Sequence, residues 1–291
     1  MRTTNQFYTG EEYQTRLGIF ISNLRLIKEK NSVNSKKYNV GLNKFAAYTP
    51  SEYRVLLGYR MDLKKHIGIK SRRNSNADSF DWRTKGVVNG VKDQAQCGSC
   101  WAFSAIQAAE SSNAIATGKL ESYSEQNLVD CVLSCYGCNG GLMTDAYDYV
   151  IQNQNGRFNY EKDYKYTGTD DICKFSQYSK AGSVSKYIVV AEGDEDDLAA
   201  KIEQYGPAAV AIDASNWSFQ LYTSGIYDEP ACSSTNLDHG VGCVGFGNQD
   251  GTKYWIVRNS WGTAWGEQGY IKMIWKNNQC GIASMAIIQV V

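Results

Sequence analysis

The chain has 291 residues, of which 43% are apolar and 21% charged, so it can bury a substantial core and is not of low complexity. No apolar run approaches the ~20 residues that a membrane-spanning helix needs, and the first residues lack the apolar stretch of a signal peptide. The net charge of zero divides into +10 over residues 1–75 and −10 over residues 76–291. The basic residues are spread out, which does not indicate a nucleic-acid patch and favours attraction between the two parts.

The first predicted element is a helix over residues 11–31. Six residues recur on one stripe of this helix at spacings of three and four: Glu12, Arg16, Phe20, Asn23, Ile27 and Asn31. An ordinary amphipathic helix would carry apolar residues there, so the mixture of charged, aromatic and amide side chains predicts specific partners. A short strand is expected over residues 36–40.

Residues 62–79 are basic and then polar, which predicts an exposed linker of the kind that proteases cut. Helices are expected over residues 100–117, which are rich in alanine, and over residues 141–153. The last hundred residues favour strands, for example over 254–257 and 270–274, between glycine-rich turns. A helical half followed by a β half predicts an α+β protein with two lobes.

Cys100 stands where the helix over residues 100–117 begins. The partial positive charge and unpaired N–H groups of a helix N-terminus favour a thiolate, the nucleophilic form of cysteine. A nucleophile needs a base, and the chain has two histidines. His66 lies in the basic linker, whereas His239 lies in a glycine-rich strand pattern, so His239 is the candidate base. The amide oxygen of Asn259 could accept from its imidazole and fix the tautomer.

The nine cysteines favour an oxidising compartment, and their odd number leaves at least one thiol free. Two alternative functions follow from their spacing. Cys97 and Cys100 form a C-x-x-C pattern, as in thiol–disulfide oxidoreductases, although no βαβ pattern lies near it. Cys131, Cys135 and Cys138 are clustered as in some zinc sites, although no histidine lies close by in the sequence.

The stretch over residues 94–103 resembles the active-site signature of papain and the cathepsins, and the separation of 139 residues between Cys100 and His239 lies within that family's range. The helix stripe is similar to the prosegment motif of cathepsin L-like enzymes. Gly41, Asn43 and Phe45 match a second prosegment motif. The sequence departs from that motif at Ala47, where an aspartate is usual, and residues 137–143 resemble the substrate-cleft segment of cathepsin L.

This resemblance implies a papain-like α+β fold with a mostly helical left lobe, a β-barrel-like right lobe and a helical prodomain. Residues 1–75 would be an inhibitory prosegment and residues 76–291 the mature peptidase. The implied activity is that of a cysteine endopeptidase, made as a zymogen and acting through an acyl-enzyme. An intact set of active-site residues argues against an inactive homologue, while peptide ligation by the same residues stays open.

The resemblance also implies the roles of individual residues. Gln94 would provide the side-chain donor of the oxyanion hole, together with the backbone N–H of Cys100. Cys100 would attack the scissile carbonyl, and His239 would protonate the leaving amine. Asn259 would orient His239, and Trp261 would shield their hydrogen bond from water.

Substrate-binding positions follow from the same comparison. The backbone of Gly141 would pair with an extended peptide, and three further positions would line the cleft: Gly98, Gly140 and Asp238. The S2 pocket would be lined by apolar residues, namely Leu142, Met143, Ala211, Ala214, Leu237 and Met285. An apolar pocket without an acidic floor predicts Leu, Val or Phe at P2 of the substrate.

The family pattern pairs six cysteines as Cys97–Cys138, Cys131–Cys173 and Cys232–Cys280. It leaves Cys243 as a buried free thiol and gives Cys135 no assignment. No cofactor or metal is implied. The expected partners are peptide and protein substrates, the chain's own prosegment and cystatin-type inhibitors. A monomer that is lysosomal, vacuolar or secreted is expected, and the charge division suggests that acid weakens the prosegment's hold.

Overall fold

The structure is a computed structural model that describes residues 7–33, 37–60, 68–70, 75 and 77–291. Its α-helices are α1 (Gly10–Ser32), α2 (Pro50–Val55), α3 (Cys100–Thr117), α4 (Glu125–Cys131), α5 (Met143–Asn153), α6 (Glu195–Tyr205) and α7 (Trp217–Gln220). Its strands are β1 (Tyr38–Val40), β2 (Phe80–Asp81), β3 (Phe158–Asn159), β4 (Lys180–Ala181), β5 (Lys186–Val189), β6 (Ala208–Ile212), β7 (Tyr222–Tyr227), β8 (His239–Gln249), β9 (Thr252–Arg258), β10 (Tyr270–Ile274) and β11 (Ala286–Val290).

Nine strands form one sheet in the order β1-β7-β10-β9-β8-β6-β11-β5, with β2 paired to β8. Most pairs are antiparallel, and β10 runs parallel to β7. β3 and β4 form a separate two-stranded sheet. In the described part of the chain, strand pairing does not close the large sheet into a barrel, so the barrel-like lobe of the prediction is an open sheet.

Helix α3 lies between the helical lobe and the sheet. It contacts α4 and α5 on one side and β6, β8 and β11 on the other. Its residues from Cys100 to Ala114 are buried, which suits a helix that is covered all round. Gly118 ends the helix with φ +72°, a left-handed conformation that glycine adopts without strain. Two apolar cores result, one within the sheet lobe and one among α3, α4 and α5.

The N-terminal segment, meaning the described residues from 7 to 60, lies against both lobes. Strand β1 adds to the edge of the sheet by pairing with β7. Helix α2 begins with a capping box between Thr49 and Glu52 and has Pro50 in its first turn. Tyr53 of this helix and Leu56, which directly follows it, are buried in the core of the sheet lobe.

Helix α1 is held mainly by polar side chains, as its mixed stripe predicted. Arg16 donates to the carbonyl oxygen of Ala47 at 3.0 Å and pairs with the Glu52 carboxylate. Asn23 donates to the carbonyl oxygen of Ala46 at 2.9 Å, and Asn31 exchanges hydrogen bonds with the backbone of Val40. At Ala47 the backbone therefore supplies an acceptor for Arg16.

The predicted helices at 11–31 and 100–117 correspond to α1 and α3, and the predicted strands at 254–257 and 270–274 to β9 and β10. The helix expected over residues 141–153 begins only at Met143, because Gly141 is paired with the N-terminal segment and Leu142 is extended. No helix in the described ranges is long and apolar enough to cross a membrane. His66 lies outside the described residues.

Candidate active site

Cys100 is the first residue of α3 and is fully buried where α3 meets β8. Its sulfur accepts hydrogen bonds from two backbone N–H groups, those of Gly58 at 3.2 Å and Gly240 at 3.3 Å. Gly240 directly follows His239 at the start of β8. The fold therefore brings together the cysteine and the histidine that are 139 positions apart in the sequence.

His239 is buried and has a partner on one ring nitrogen. Its Nε2 lies 2.8 Å from Asn259 Oδ1, while Nδ1 has no hydrogen-bond partner among the described residues. The Trp261 ring stacks on the imidazole, with ring centroids 4.8 Å apart. Phe219 meets the imidazole edge-on from another direction. These contacts fix the ring orientation and exclude water from the hydrogen bond between His239 and Asn259.

Gln94 is buried beside Cys100, and its amide orientation follows from its partners. Its Oε1 accepts from Ser260 Oγ at 2.7 Å and from Trp261 Nε1 at 3.1 Å. Its Nε2 therefore points the other way, donating to the carbonyl oxygens of Cys97 at 2.8 Å and Leu56 at 2.9 Å. A carbonyl oxygen of the N-terminal segment thus occupies the donor that the sequence assigns to the oxyanion hole.

Burial keeps the cysteine and the histidine uncharged in this structure. It raises the pKa of the Cys100 thiol to about 12, although the N–H groups of Gly240 and Gly58 oppose this shift. It also lowers the pKa of His239 to about 4, against the opposing effect of Asn259. With the N-terminal segment in place, burial therefore favours a neutral thiol and a neutral imidazole, whereas the sequence predicts a thiolate.

The N-terminal segment passes through the cleft next to Cys100. Tyr59 pairs with Gly141 in a parallel bridge. The Gly141 N–H donates to the Gly58 carbonyl at 2.9 Å, and the Arg60 N–H donates to the Gly141 carbonyl at 3.1 Å. The Tyr59 N–H donates to the Asp238 carbonyl at 2.9 Å. The segment thus takes up the backbone hydrogen bonds that the sequence assigns to a substrate.

Glycines on both sides allow the segment to come this close. A Cβ on Gly58 would lie 1.7 Å from the carbonyl oxygen of Gly98. A Cβ on Gly140 would lie 2.7 Å from the carbonyl oxygen of Gly58. Since both obstacles are backbone atoms, any larger side chain at these positions would force the strands apart.

Most of the residues predicted to line the S2 pocket lie together. Met143, Ala211 and Met285 belong to one apolar cluster, which also includes Tyr59, and Leu142 and Leu237 pack against it. Ala214 lies in the core of the sheet lobe instead. Its carbonyl accepts from the Tyr53 hydroxyl at 2.6 Å, and its N–H donates to Asp238 Oδ1 at 2.8 Å.

Asp238 precedes His239 and is partly covered by the N-terminal segment. Burial raises the pKa of its carboxyl group to about 7, while the N–H group of Ala214 acts in the opposite direction. Its backbone carbonyl faces Tyr59. The structure thus places Asp238 next to the part of the N-terminal segment that passes Cys100.

The three disulfides join the cysteine pairs that the resemblance implied: Cys97–Cys138, Cys131–Cys173 and Cys232–Cys280. Cys97 therefore has no free thiol for a C-x-x-C redox cycle, and the clustered cysteines near Cys135 are not free to bind zinc. No group of residues suited to a metal ion occurs in the described part of the chain. Cys135 and Cys243 are buried free thiols.

Several residues of the site were not found from the sequence. Leu56 and Gly58 contact Gln94 and Cys100, but they are ordinary residues in a segment without a distinctive pattern. Ser260 orients Gln94 and follows directly after Asn259, so its place in the Asn-Ser-Trp-Gly stretch was an available signal. Tyr166 contacts the backbone of Gln94 and has no local motif that marks it.

Comparison with known proteins agrees with this geometry. Residues 76–290 match the family described as papain family cysteine protease, and residues 1–53 match the cathepsin propeptide inhibitor domain. Cathepsin L of Sarcophaga peregrina is 44% identical over 95% of this chain and 87% of its own length. Human cathepsin L2 is 43% identical over 98% of this chain and 88% of its own length.

Solved structures of proenzymes have the same fold. Digestive procathepsin L2 from the larval midgut of Tenebrio molitor superimposes with a TM-score of 0.93 at 38% identity, covering 100% of this chain and 97% of that one. The proform of the ragweed pollen allergen Amb a 11 gives a TM-score of 0.88 at 34% identity, covering 100% and 92% of the two chains. The chain therefore belongs to the papain family of cysteine proteases, as a cathepsin L-like enzyme that carries its propeptide.

Proposed function

We propose that Cys100 is the nucleophile of this cysteine endopeptidase and that His239, oriented by Asn259, exchanges protons with it. The contact between His239 Nε2 and Asn259 Oδ1 supports this assignment, because it leaves Nδ1 as the nitrogen free to act. Once the cleft is open, the imidazole takes the thiol proton. The thiolate attacks the scissile carbonyl, and the imidazolium protonates the leaving amine.

Gln94 Nε2 and the backbone N–H of Cys100 hold the negative oxygen of the tetrahedral intermediate. The hydrogen bond from Gln94 Nε2 to the Leu56 carbonyl supports this assignment, because it shows that the Gln94 amide can donate to a carbonyl oxygen of a chain that passes Cys100. A donor of this type contributes about 3–4 kcal/mol to the stability of the transition state when it is correctly aimed. Water then releases the acyl group with the help of His239.

Residues 1–75 act as the inhibitory prosegment, and residues 76–291 form the mature enzyme. The family match that begins at residue 76, the exposed side chain of Ile69 and the exposed, basic side chain of Lys70 support a boundary in this region. The contacts of residues 56–60 with Gln94, Cys100 and Gly141 support inhibition by occupation of the cleft. Cleavage of the linker therefore releases activity.

The S2 pocket accepts apolar side chains at P2. Tyr59 of the prosegment lies in the cluster of Met143, Ala211 and Met285, which supports binding of aromatic as well as aliphatic side chains. Met285 offers no charge to balance an arginine. Peptides with Leu, Val or Phe at P2 are therefore cleaved with a higher kcat/KM than those with Arg.

The enzyme acts as a monomer in a lysosomal, vacuolar or extracellular setting, and cystatin-type inhibitors bind its open cleft. The disulfides support an oxidising compartment. The backbone hydrogen bonds of the cleft, which do not depend on side-chain identity, support recognition of peptide and protein chains in general.

The proposal is tested by mild acidification of the full-length chain with a thiol reductant, followed by measurement of mass and of fluorogenic peptide hydrolysis. We expect the loss of about the first 75 residues, as the family boundary suggests, and the appearance of activity against a peptide with Leu at P2. Cys100→Ala should remain intact and inactive. Activity that persists in Cys100→Ala or in His239→Ala would rule out the proposed roles.

A further inference from the structure

Tyr166 connects the two residues that flank the proposed oxyanion hole. Its hydroxyl oxygen lies 2.8 Å from the carbonyl oxygen of Gln94 and 2.6 Å from Ser99 Oγ. A carbonyl oxygen can only accept, so the phenolic hydrogen points to Gln94. Ser99 therefore donates to the Tyr166 oxygen, and the three residues form one directed chain of hydrogen bonds.

Both ends of this chain bear on the proposed chemistry. Gln94 carries the side-chain donor, and Ser99 directly precedes Cys100, whose N–H is the second donor. Between them, Ala95 has φ +52°, a left-handed conformation that is unfavourable for a residue with a side chain. A turn of this kind persists only where surrounding contacts hold it, and the hydrogen bond from Tyr166 to Gln94 lies next to it.

Ser99 is the N-cap of α3, yet its side chain makes no capping hydrogen bond. A serine at this position ordinarily turns its oxygen towards the N–H groups of the first turn and satisfies one of them. Here the Ser99 hydroxyl is engaged by Tyr166 instead. The Ser99 side chain thus leaves the start of α3 uncapped and its partial positive charge beside Cys100, while the Ala102 N–H donates to the Ser99 carbonyl oxygen at 2.8 Å.

The Tyr166 ring is fixed independently of its hydroxyl. Phe103 packs edge-on against the Tyr166 ring with ring centroids 4.8 Å apart. The backbone N–H of Tyr166 donates to Glu161 Oε1 at 3.2 Å. Burial raises the pKa of the hydroxyl, so it keeps its hydrogen at physiological pH. A phenylalanine would therefore retain the ring packing and remove only the hydrogen bonds.

We propose that Tyr166 is a positioning residue for the oxyanion hole: it fixes the distance between Gln94 and the start of α3, and it prevents Ser99 from capping that helix. This inference rests on the proposed roles of Gln94 and Cys100. Tyr166 itself does not touch the substrate.

The test compares Tyr166→Phe with Tyr164→Phe, each in the full-length chain after maturation in mild acid and titration of the active sites. Tyr164 is a matched control, because its hydroxyl donates to Asp130 Oδ2 at 2.6 Å in the helical lobe. We expect Tyr166→Phe to lower kcat by about 10- to 100-fold with KM unchanged, as when a catalytic donor is slightly misplaced. Tyr164→Phe should keep the parent kcat.

A peptide aldehyde provides a second measurement that depends on the same donors. Its carbonyl carbon bonds to the Cys100 sulfur, and its oxygen enters the oxyanion hole as a stable mimic of the intermediate. Tyr166→Phe should weaken inhibition by the aldehyde by the same factor as kcat. Adding Ser99→Ala to this variant should cause no further loss, since Tyr166→Phe has already broken the hydrogen-bond chain and the alanine cannot cap α3.

An unchanged kcat in Tyr166→Phe, or an equal loss in both phenylalanine variants, would overturn the inference. If Tyr166→Phe does not mature, Ser99→Ala alone decides: it should lower kcat with KM unchanged, and parent kinetics would reject the hydrogen-bond chain. Gln94→Ala distinguishes a failure of the proposed oxyanion hole from a failure of the positioning role of Tyr166. Full activity in that variant would reject the proposed oxyanion hole itself, whereas a large loss there with no effect of Tyr166→Phe would reject only the positioning role.

Discussion

At the scale of single residues, the burial of Cys100 outweighs the helix N-terminus in the proenzyme. A helix N-terminus stabilises a nearby negative charge by about 0.3–1 kcal/mol. A rise of the thiol pKa from 9.0 to about 12 corresponds to roughly 4 kcal/mol against the thiolate. We infer that the prosegment inhibits in two ways, since it occupies the cleft and since the burial of Cys100 and His239 disfavours a charged pair.

We predict that the full-length chain shows no thiolate absorbance from Cys100 at neutral pH and that maturation produces it. The other free thiols should not interfere, because burial raises the pKa of Cys135 to about 12 and that of Cys243 still further. The measurement is the ultraviolet difference spectrum before and after maturation. Cys100→Ala, matured with a trace of active enzyme, should show no gain, and an equal gain in that variant would contradict the assignment.

Some residues of the candidate site belong to short local patterns of the sequence. Gln94, Cys100, His239 and Asn259 are in such patterns and lie together in the structure. Tyr166 could not be found in this way, because its importance depends on tertiary contacts between distant segments. The same reason hides the charge state of Cys100, which depends on what covers it.

At the scale of elements, a partly buried cation, Arg16, links α1 to α2. The Arg16 guanidinium lies between Glu52 and the Ala47 carbonyl. Its hydrogen bonds hold the pKa of Glu52 at about 2, although partial burial opposes this shift. The stabilisation that the Glu52 carboxylate gives to the folded prosegment is therefore complete above pH 4.5, the usual pKa of glutamate. It is lost as the pH falls towards 2, so this ion pair does not respond to mild acid.

We predict that Glu52→Gln speeds maturation by about two- to fivefold at a fixed pH, because the glutamine keeps the capping contact with Thr49 but loses the charge that binds Arg16. The rate constant for conversion of the full-length chain on a gel measures the effect. Glu11→Gln, which makes the same charge change in the exposed first turn of α1, should leave the rate unchanged. Equal rates for the two variants would show that the ion pair contributes nothing.

The elements themselves were predictable to different degrees. The alanine-rich composition of α3 and the β-branched and aromatic residues of β10 indicate their structures directly. Helices α4 and α6 were not predicted, although Ser124 and Asp194 cap them. The late start of α5 depends on the pairing of Gly141 with a distant segment, which no local pattern reveals.

At the scale of the whole molecule, the opposite charges of the two parts meet in a few ion pairs. Among the described residues, four join a lysine of the first 75 residues to the rest of the chain: Lys30–Glu229, Lys37–Asp228, Lys44–Asp93 and Lys70–Asp194. Exposed pairs contribute only about 0–1 kcal/mol each. Glu229 differs, because it is buried and also accepts hydrogen bonds from Tyr38 and Ser218.

The catalytic pair adds little to the pH dependence of prosegment release. In the proposed mechanism a proton moves from Cys100 to His239 when the cleft opens, and the number of bound protons does not change. The proposed release by acid then requires carboxylates whose pKa is lowered in the proenzyme, because protonation weakens only a group that binds better when it is charged. For Glu229, burial acts to raise the pKa, but Tyr38 and Lys30 lower it below the usual 4.5. The stabilisation that Glu229 gives to the bound prosegment is therefore complete above pH 4.5 and is lost as the pH falls further.

We predict that Glu229→Gln weakens the prosegment's hold by about 1–3 kcal/mol at neutral pH and flattens its dependence on acid, since a charged hydrogen-bond acceptor is lost. Asp93→Asn should change little, because the Asp93 side chain is 45% exposed. Both variants are compared in the Cys100→Ala chain, so that the separate titration of His239 cancels. Acid titration followed by tryptophan fluorescence reports the release, and identical curves for the two variants would refute the special role of Glu229.

The parallel bridge between Tyr59 and Gly141 has a consequence for how the enzyme distinguishes an inhibitor from a substrate. Because the prosegment runs parallel to the chain at Gly141, the group that contacts the Cys100 sulfur is the backbone N–H of Gly58. An N–H group has no electrophilic carbon that the sulfur could attack. The direction in which the prosegment chain runs, and not its side chains, thus protects it from cleavage. A free peptide with the same residues could bind in the opposite direction, and it would then be an ordinary substrate. The protection therefore lasts only while the folded prodomain fixes the direction of the chain in the cleft.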